Sequence, residues 1–405
     1  MTIIFGLLVL LAATRMFAEG AVRLRLPASV GEILAGAALA GGIVLVGDRV
    51  PLLGEIAASE QLALVAQAGI FFLVLQAGID MKPTEIAQQS ARSLAIALGG
   101  ALVPLSLGIA LGWVLLPDNP LRPVQAFFIG VALSITAIPA TVKVLEEQGL
   151  LHKPFGQAIV AAALFDDIFG LFLLAVLTGL LQSEAALSFF DTLRLLGQIV
   201  VFFAVTVTLG AHVYPRIVTR LQWLQLASAE FSILMLVALG YALFADLMGL
   251  HWIIGAFVAG LYFEPSRVGA RAYSEIRLIV TGITAGFLGP LFFASIGLNV
   301  RYETVIETPL LLAALVAAGI AGKFVGAGGV AAMVGFARRE AAAIGAGMSA
   351  RGAVELIVIS IAAEYGLFCG SGCGAGDNVI SALILMAVIT TLLAPMMLRA
   401  IVRGL

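Results

Sequence analysis

The sequence predicts an all-α polytopic membrane protein of about thirteen transmembrane helices, built as an inverted repeat with two crossed discontinuous helices. Three observations predict it. Of the 405 residues, 61% are hydrophobic and 11% charged, against roughly 25% charged in soluble domains. The apolar residues gather in segments of about 20, the length that spans a bilayer. Three short motifs recur in the same order in the two halves, at nearly equal spacing.

The composition excludes other classes. A soluble core of this size could not hide so much apolar surface. Two Cys and 45 unperiodic Gly fit neither a disulfide scaffold nor collagen. A formal net charge of −2 without a basic cluster points away from nucleic acid. The apolar segments are 2–20, 28–46, 61–79, 92–116, 124–148, 156–182, 190–219, 226–246, 250–264, 272–297, 308–336, 341–367 and 378–402. Thr14, Arg15 and Glu19 inside the first argue against a cleaved signal peptide.

Charge asymmetry orients the chain. Odd-numbered loops and the C-terminus carry fifteen Lys and Arg; even-numbered loops carry four, Arg49, Arg122, Arg194 and Arg301. The expected topology has the N-terminus outside and the C-terminus in the cytoplasm, in a bacterial inner membrane. Cys369-Gly-Ser-Gly-Cys373 then lies in an outside loop, where a disulfide and two free thiols are both open readings.

Gly36-Ala-Ala-Leu-Ala-Gly41 recurs as Gly255-Ala-Phe-Val-Ala-Gly260. Gly78-Ile-Asp-Met-Lys82 recurs as Gly297-Leu-Asn-Val-Arg301, and Glu147-Gln-Gly-Leu150 as Glu364-Tyr-Gly-Leu367. The first spacing is 42 in both halves; the second is 71 and 69. Segment 2 matches segment 9, an odd offset, so the halves face opposite ways. The chain, 1–405, reads as one transmembrane unit: a first repeat over 28–182, linking helices over 183–249 and a second repeat over 250–405. Inverted repeats are typical of secondary transporters, whose site lies at mid-membrane.

Two matching segments are interrupted. In Ser134-Ile-Thr-Ala-Ile-Pro-Ala140, Pro139 lacks an N–H and clashes with the carbonyl of Ile135. Ser134 and Thr136 add hydroxyl oxygens beside it. In Gly345-Ala-Gly-Met-Ser-Ala-Arg-Gly-Ala-Val-Glu355, three Gly and Ser349 weaken the helix near its middle. Paired breaks point to a binding site.

Charges at membrane depth complete the site. Asp166 and Asp167 stand near the middle of segment 6, where each costs roughly 2.5–3.5 kcal/mol. Neighbours on a helix diverge by about 100°, so one can face a cavity and the other a partner helix. Lys323, central in segment 11, is the expected partner. Arg351 and Glu355 stand at i and i+4 and can pair on one face. Arg15 and Glu19 read as an interfacial pair. Glu32, in segment 2, is equally open to a structural or a functional role. His152, His212 and His251 are too scattered for a metal site.

Two buried carboxylates, freed carbonyls and hydroxyls make a hard-oxygen site for Na⁺, Li⁺ or H⁺. A carboxylate holds a proton or a cation, not both, and that competition is an exchange mechanism. If Asp167 binds the cation and Asp166 trades Lys323, one Na⁺ displaces two protons and the cycle is electrogenic. No cofactor is expected. Nor is an enzyme: an intramembrane aspartyl protease needs its two Asp on different helices. K⁺/H⁺ exchange is the alternative. A Na⁺-coupled organic solute symporter is a further one, and Lys323 counts against it.

The Asp166-Asp167 pair, the Pro139 break, Gly322-Lys-Phe-Val-Gly326 and Ser349-Ala-Arg-Gly-Ala-Val-Glu355 resemble the bacterial monovalent cation:proton antiporter-2 family, within it the NapA-like Na⁺/H⁺ antiporters. The resemblance implies a homodimer with an elevator-like cycle. Its ion-binding core would be roughly 92–182 and 308–402, its dimerisation helices roughly 1–79 and 226–297. It implies Asp167 as the main Na⁺ ligand, Asp166 paired with Lys323, and helix breaks near Thr136 and near Arg351–Glu355. The family often places its acidic residue directly after Arg-Gly; here Glu355 follows Gly352 by Ala-Val.

Overall fold

The computed structural model describes residues 2–24, 26–46, 60–81, 91–136, 141–142, 144–145, 148–151, 153–182, 189–213, 216, 229–300, 303–368 and 375–403. The described residues are helical with short connections and contain no strand. The helices are α1 (Thr2–Arg23), α2 (Ala28–Val46), α3 (Glu60–Asp80), α4 (Ala91–Leu115), α5 (Arg122–Ser134), α6 (Pro154–Gln182) and α7 (Phe189–Thr208). They continue with α8 (Ala229–Leu247), α9 (Trp252–Leu261), α10 (Ala270–Leu298) and α11 (Pro309–Met333). The last are α12 (Arg338–Gly347), α13 (Ala353–Glu364) and α14 (Ala375–Val402).

Eight described helices are long and apolar enough to cross a membrane, and three shorter apolar helices accompany them. The segments expected at 124–148 and 341–367 are the interrupted ones. α5 stops at Ser134, where Ile135 turns extended, and helix resumes at 141–142. α12 stops at Gly347 and α13 starts at Ala353. Pro139, Lys143, Glu147, His152, the 183–188 linker and the Cys369/Cys373 loop lie outside the described residues.

The chain forms two compact units. The first comprises Met1–Leu62, Gln88–Leu173 and Phe293–Leu405. Its tight crossings are made by glycines. A Cβ on Gly31 would strike the backbone of Phe17 and Ala18; one on Gly297 would strike Ile33, Gly36 and Ala37. α4 and α11 meet through Gly99 against Gly326 and Gly322 against Pro104. Directly after Lys323, α11 widens into a π turn, Phe324–Gly328, a feature frequent at functional sites.

The second unit comprises Ala63–Ala87 and Leu174–Phe292. It repeats the crossing: Gly255 abuts Tyr241 and Ala242, and Gly78 abuts Phe257, Gly260 and Leu261. The partners follow one rule in both units. Phe17–Gly31 becomes Tyr241–Gly255, and the triplet 33/36/37 on Gly297 becomes 257/260/261 on Gly78. Gly36 therefore answers to Gly260, not to Gly255 as the motif match reads it. The repeat in packing is Gly31-Glu-Ile-Leu-Ala-Gly36 against Gly255-Ala-Phe-Val-Ala-Gly260. The five-residue slip arises because a G-x-x-x-A-G pattern can be laid on either side of Gly36.

The interfacial pair also differs from expectation. Glu19 binds Arg23 at 2.9 Å, and Arg15 reaches buried Glu32 of α2 at 3.7 Å. A buried carboxylate gains more from the guanidinium than an exposed one does, which favours the α1–α2 pairing.

Candidate functional site

The site lies within the first unit, where α5, α6, α11 and the α12–α13 break converge. Asp166 of α6 is 2% exposed and Lys323 of α11 is fully buried. Lys323 Nζ lies 3.3 Å from both carboxylate oxygens of Asp166. It also donates to the carbonyl of Ser134, the last residue of α5. Its neighbour Gly322 lets Pro104 of α4 close over this face, with Pro104 Cα only 3.0 Å from where a Cβ would stand. Asp167, one residue on, is half-buried. The two carboxylates thus have different environments, as their 100° divergence on a helix requires.

The end of α5 explains the second buried cation. A helix leaves its last four carbonyls without intrahelical donors, and in a membrane interior water does not supply them. Here Arg351 Nη1 donates to Ala132 O (3.2 Å) and to Ile135 O, while Nη2 donates to Leu133 O at 2.5 Å. With Lys323 on Ser134, four consecutive carbonyls each find a cationic donor. Both charges sit at the negative end of the helix dipole. Gly319 makes room, since a Cβ there would be 3.3 Å from Arg351 Nη2. The Ile135 carbonyl, just past the end of α5, is thus held by a guanidinium.

The opposing break uses hydroxyls. Thr136 Oγ1 donates to Met348 O (3.1 Å), Thr141 Oγ1 to Gly347 O (2.7 Å) and Ser349 Oγ to Gly345 O (2.8 Å). Thr391 Oγ1 of α14 donates to the Arg351 carbonyl at 2.9 Å. Arg351 of one break thus caps α5, and Thr136 and Thr141 beside the other cap α12, while Ser349 bonds within its own helix end and Lys323 adds a donor from α11.

The expected site residues divide as follows. Asp166, Lys323 and Ser134 meet directly, and Thr136 and Arg351 hold the two broken ends. Ser134 takes part through its carbonyl; its hydroxyl is spent on Val131 O at 2.8 Å. Arg351 and Glu355 form the expected i, i+4 ion pair, with Nε 3.9 Å from Oε2 and no hydrogen bond between them. Glu355 is fully buried, and among the described residues neither of its oxygens has a hydrogen-bond partner. Sequence reasoning missed Thr141 and Thr391. The one signal for Thr141 is a hydroxyl two residues after Pro139. Among the described residues no three His, Cys, Asp or Glu cluster as for a bound metal.

Comparison with known proteins shows the family of the chain. The family model described as sodium/hydrogen exchanger, transmembrane, matches residues 6–404. The chain is 28% identical over 395 residues to the Na⁺/H⁺-K⁺ antiporter GerN of Bacillus cereus, covering 98% of this chain and 95% of that one. It is 26% identical over 393 residues to a Na⁺/H⁺ antiporter of Enterococcus hirae, covering 97% and 96%. In fold it is similar to the sodium proton antiporter MjNhaP1 of Methanocaldococcus jannaschii, with a TM-score of 0.71 at 17% identity, covering 99% and 97%. A match over nearly the whole length, on a multi-pass helical chain with paired breaks, makes the protein a member of the transmembrane sodium/hydrogen exchanger family, a family of transporters.

Proposed function

We propose that this protein exchanges Na⁺ or Li⁺ for H⁺ across a bacterial inner membrane by alternating access. The observation that carries the reading is the Asp166–Lys323 contact beside a half-buried Asp167. Asp167 is the cation ligand in this reading, and holds a proton when the cation is absent. Asp166 exchanges its partner Lys323 as the cation enters. Two protons, one from Asp167 and one from Lys323 once Asp166 has released it, then leave for each Na⁺ bound, and the cycle moves net charge. Ser134, Thr136, Arg351 and Glu355 line or hold the helix breaks around this pair, and Pro139 completes the set by its place in the sequence.

The relatives named as Na⁺/H⁺ antiporters support the ion pair, and GerN, whose name adds K⁺, supports K⁺/H⁺ exchange as the second reading. No solute pocket has to be invoked. The protein works as a homodimer in the lipid bilayer, with a moving core of roughly 92–182 and 308–402 and dimerisation helices of roughly 1–79 and 226–297. The excess of Lys and Arg in odd-numbered loops supports an outside N-terminus and a cytoplasmic C-terminus.

The test is a dye-reported ΔpH assay in proteoliposomes, with Na⁺, Li⁺ and K⁺ added in turn. The proposal expects dissipation by Na⁺ or Li⁺ in the wild type and none in Asp167→Asn, which still folds. Dissipation by K⁺ alone moves the protein to the second reading. Silence toward all three from folded protein ends both.

A further inference from the structure

One buried acid is left over once the ion site is assembled. Glu355 stands in the first turn of α13, fully enclosed, with no hydrogen-bond donor on either oxygen among the described residues. A guanidinium is one helical turn away, yet Arg351 spends both terminal nitrogens on the carbonyls of Ala132, Leu133 and Ile135. Its Nε is itself without a hydrogen-bond partner, 3.9 Å from Glu355 Oε2.

That choice is informative. A charge-assisted bond to a carboxylate is roughly twice as strong as one between neutral groups. An ionised carboxylate in a dry interior is costly unless paired, and such a group neutralises instead. With Glu355 ionised, the guanidinium would close the gap and bond it. With Glu355 neutral, the carbonyls at the negative end of α5 are the better acceptors. The 3.9 Å separation of Arg351 Nε from Glu355 Oε2 is the one expected beside a neutral acid.

We infer that Glu355 is a proton-binding site of this exchanger, additional to the Asp166–Asp167 pair, and that its proton sets how Arg351 grips the broken end of α5. On release, the proton leaves an Oε atom for solvent and a carboxylate remains. Attraction then draws Arg351 toward Glu355 and loosens its hold on carbonyls 132, 133 and 135. Ser134, between them, holds Lys323, so the state of Glu355 reaches the Lys323–Asp166 contact through α5. The charged groups around Glu355 are Arg351 and, on α11, Lys323; Asp166 of α6 acts on Arg351. α5 contributes carbonyls, and the Thr391 hydroxyl of α14 is shared between the Arg351 carbonyl at 2.9 Å and the Ala387 carbonyl at 2.6 Å.

This inference rests on the exchange reading, and infrared spectroscopy separates the two because it needs no transport. Purified wild type and Glu355→Gln are compared in Na⁺-free buffer at neutral pH. The expected difference spectrum contains a protonated-carboxyl C=O band that the Gln variant lacks and that the wild type loses on alkaline titration. In proteoliposomes the pH–rate profile of the Gln variant, normalised to its own maximum, is less steep than that of the wild type. If Gln does not fold, Glu355→Asp keeps the acid, and the band moves in frequency rather than vanishing. Only ionised-carboxylate bands in the difference spectrum overturn the inference, as does a band that persists at every pH. A wild-type pH–rate profile in the Gln variant does the same. Absence of exchange in the wild type, with the band present and titrating, counts against the exchange reading alone.

Discussion

Both broken helices end on carbonyls held by side chains, and those side chains differ in charge. At the end of α5 every donor on carbonyls 132 to 135 is a cation, Arg351 or Lys323. At the end of α12 the donors on Gly345, Gly347 and Met348 are the hydroxyls of Ser349, Thr141 and Thr136. Hydroxyls satisfy a carbonyl and do little more. Buried cations also neutralise the helix dipole and carry an interaction that another charge can compete for. The inverted repeat thus supplies a symmetric frame with an asymmetric load. Only the α5 end carries cations whose partners, Asp166 and Glu355, are themselves charged or chargeable groups.

Substitutions at the two ends sharpen or break this contrast. The largest effect is expected for Arg351→Met, which strips donors from three buried carbonyls at about 1–3 kcal/mol each. Thermal unfolding in detergent reads it, and a near-wild-type midpoint would remove the charged cap from the account. Next comes Lys323→Gln. Its amide can still serve Ser134, but Asp166 loses its cation, at about 3–5 kcal/mol. The same unfolding assay checks stability, and the proton count per cation, from reversal potentials in liposomes, should fall. An unchanged count would show that Lys323 takes no part in coupling. The smallest effect is expected at the hydroxyl end: Thr141→Val removes one neutral hydrogen bond, worth about 1 kcal/mol. If Thr141→Val cost as much as Arg351→Met, the two ends would be equivalent and the contrast wrong.

The sequence carries the parts of this arrangement whose cost shows in composition. Asp166, Asp167 and Lys323 stand out because charge at membrane depth demands a reason. Pro139 and the glycines of 345–352 mark the breaks because they remove or weaken backbone hydrogen bonds. Other parts have no such mark. Arg351 reads as the partner of Glu355 because i, i+4 spacing is visible in one dimension, whereas carbonyls 132 to 135 become its partners only when α5 ends beside it. Arg15 was misassigned for the same reason: Glu32 lies across a helix crossing and Glu19 one turn away. The repeat register slipped by five residues because Gly and Ala are frequent enough to fit the pattern twice. Steric exclusion at Gly36 and Gly260, a property of packed backbones, resolves it.

The central claim is that a proton and Na⁺ compete for Asp167 beside the Asp166–Lys323 contact. Charge movement on a solid-supported membrane tests it most directly, by Na⁺ concentration jumps on wild type and Asp167→Asn at several pH values. Competition predicts a half-saturating Na⁺ concentration that rises as pH falls in the wild type, and no current in the Asn variant. A half-saturation independent of pH, or wild-type currents from Asp167→Asn, would contradict the account.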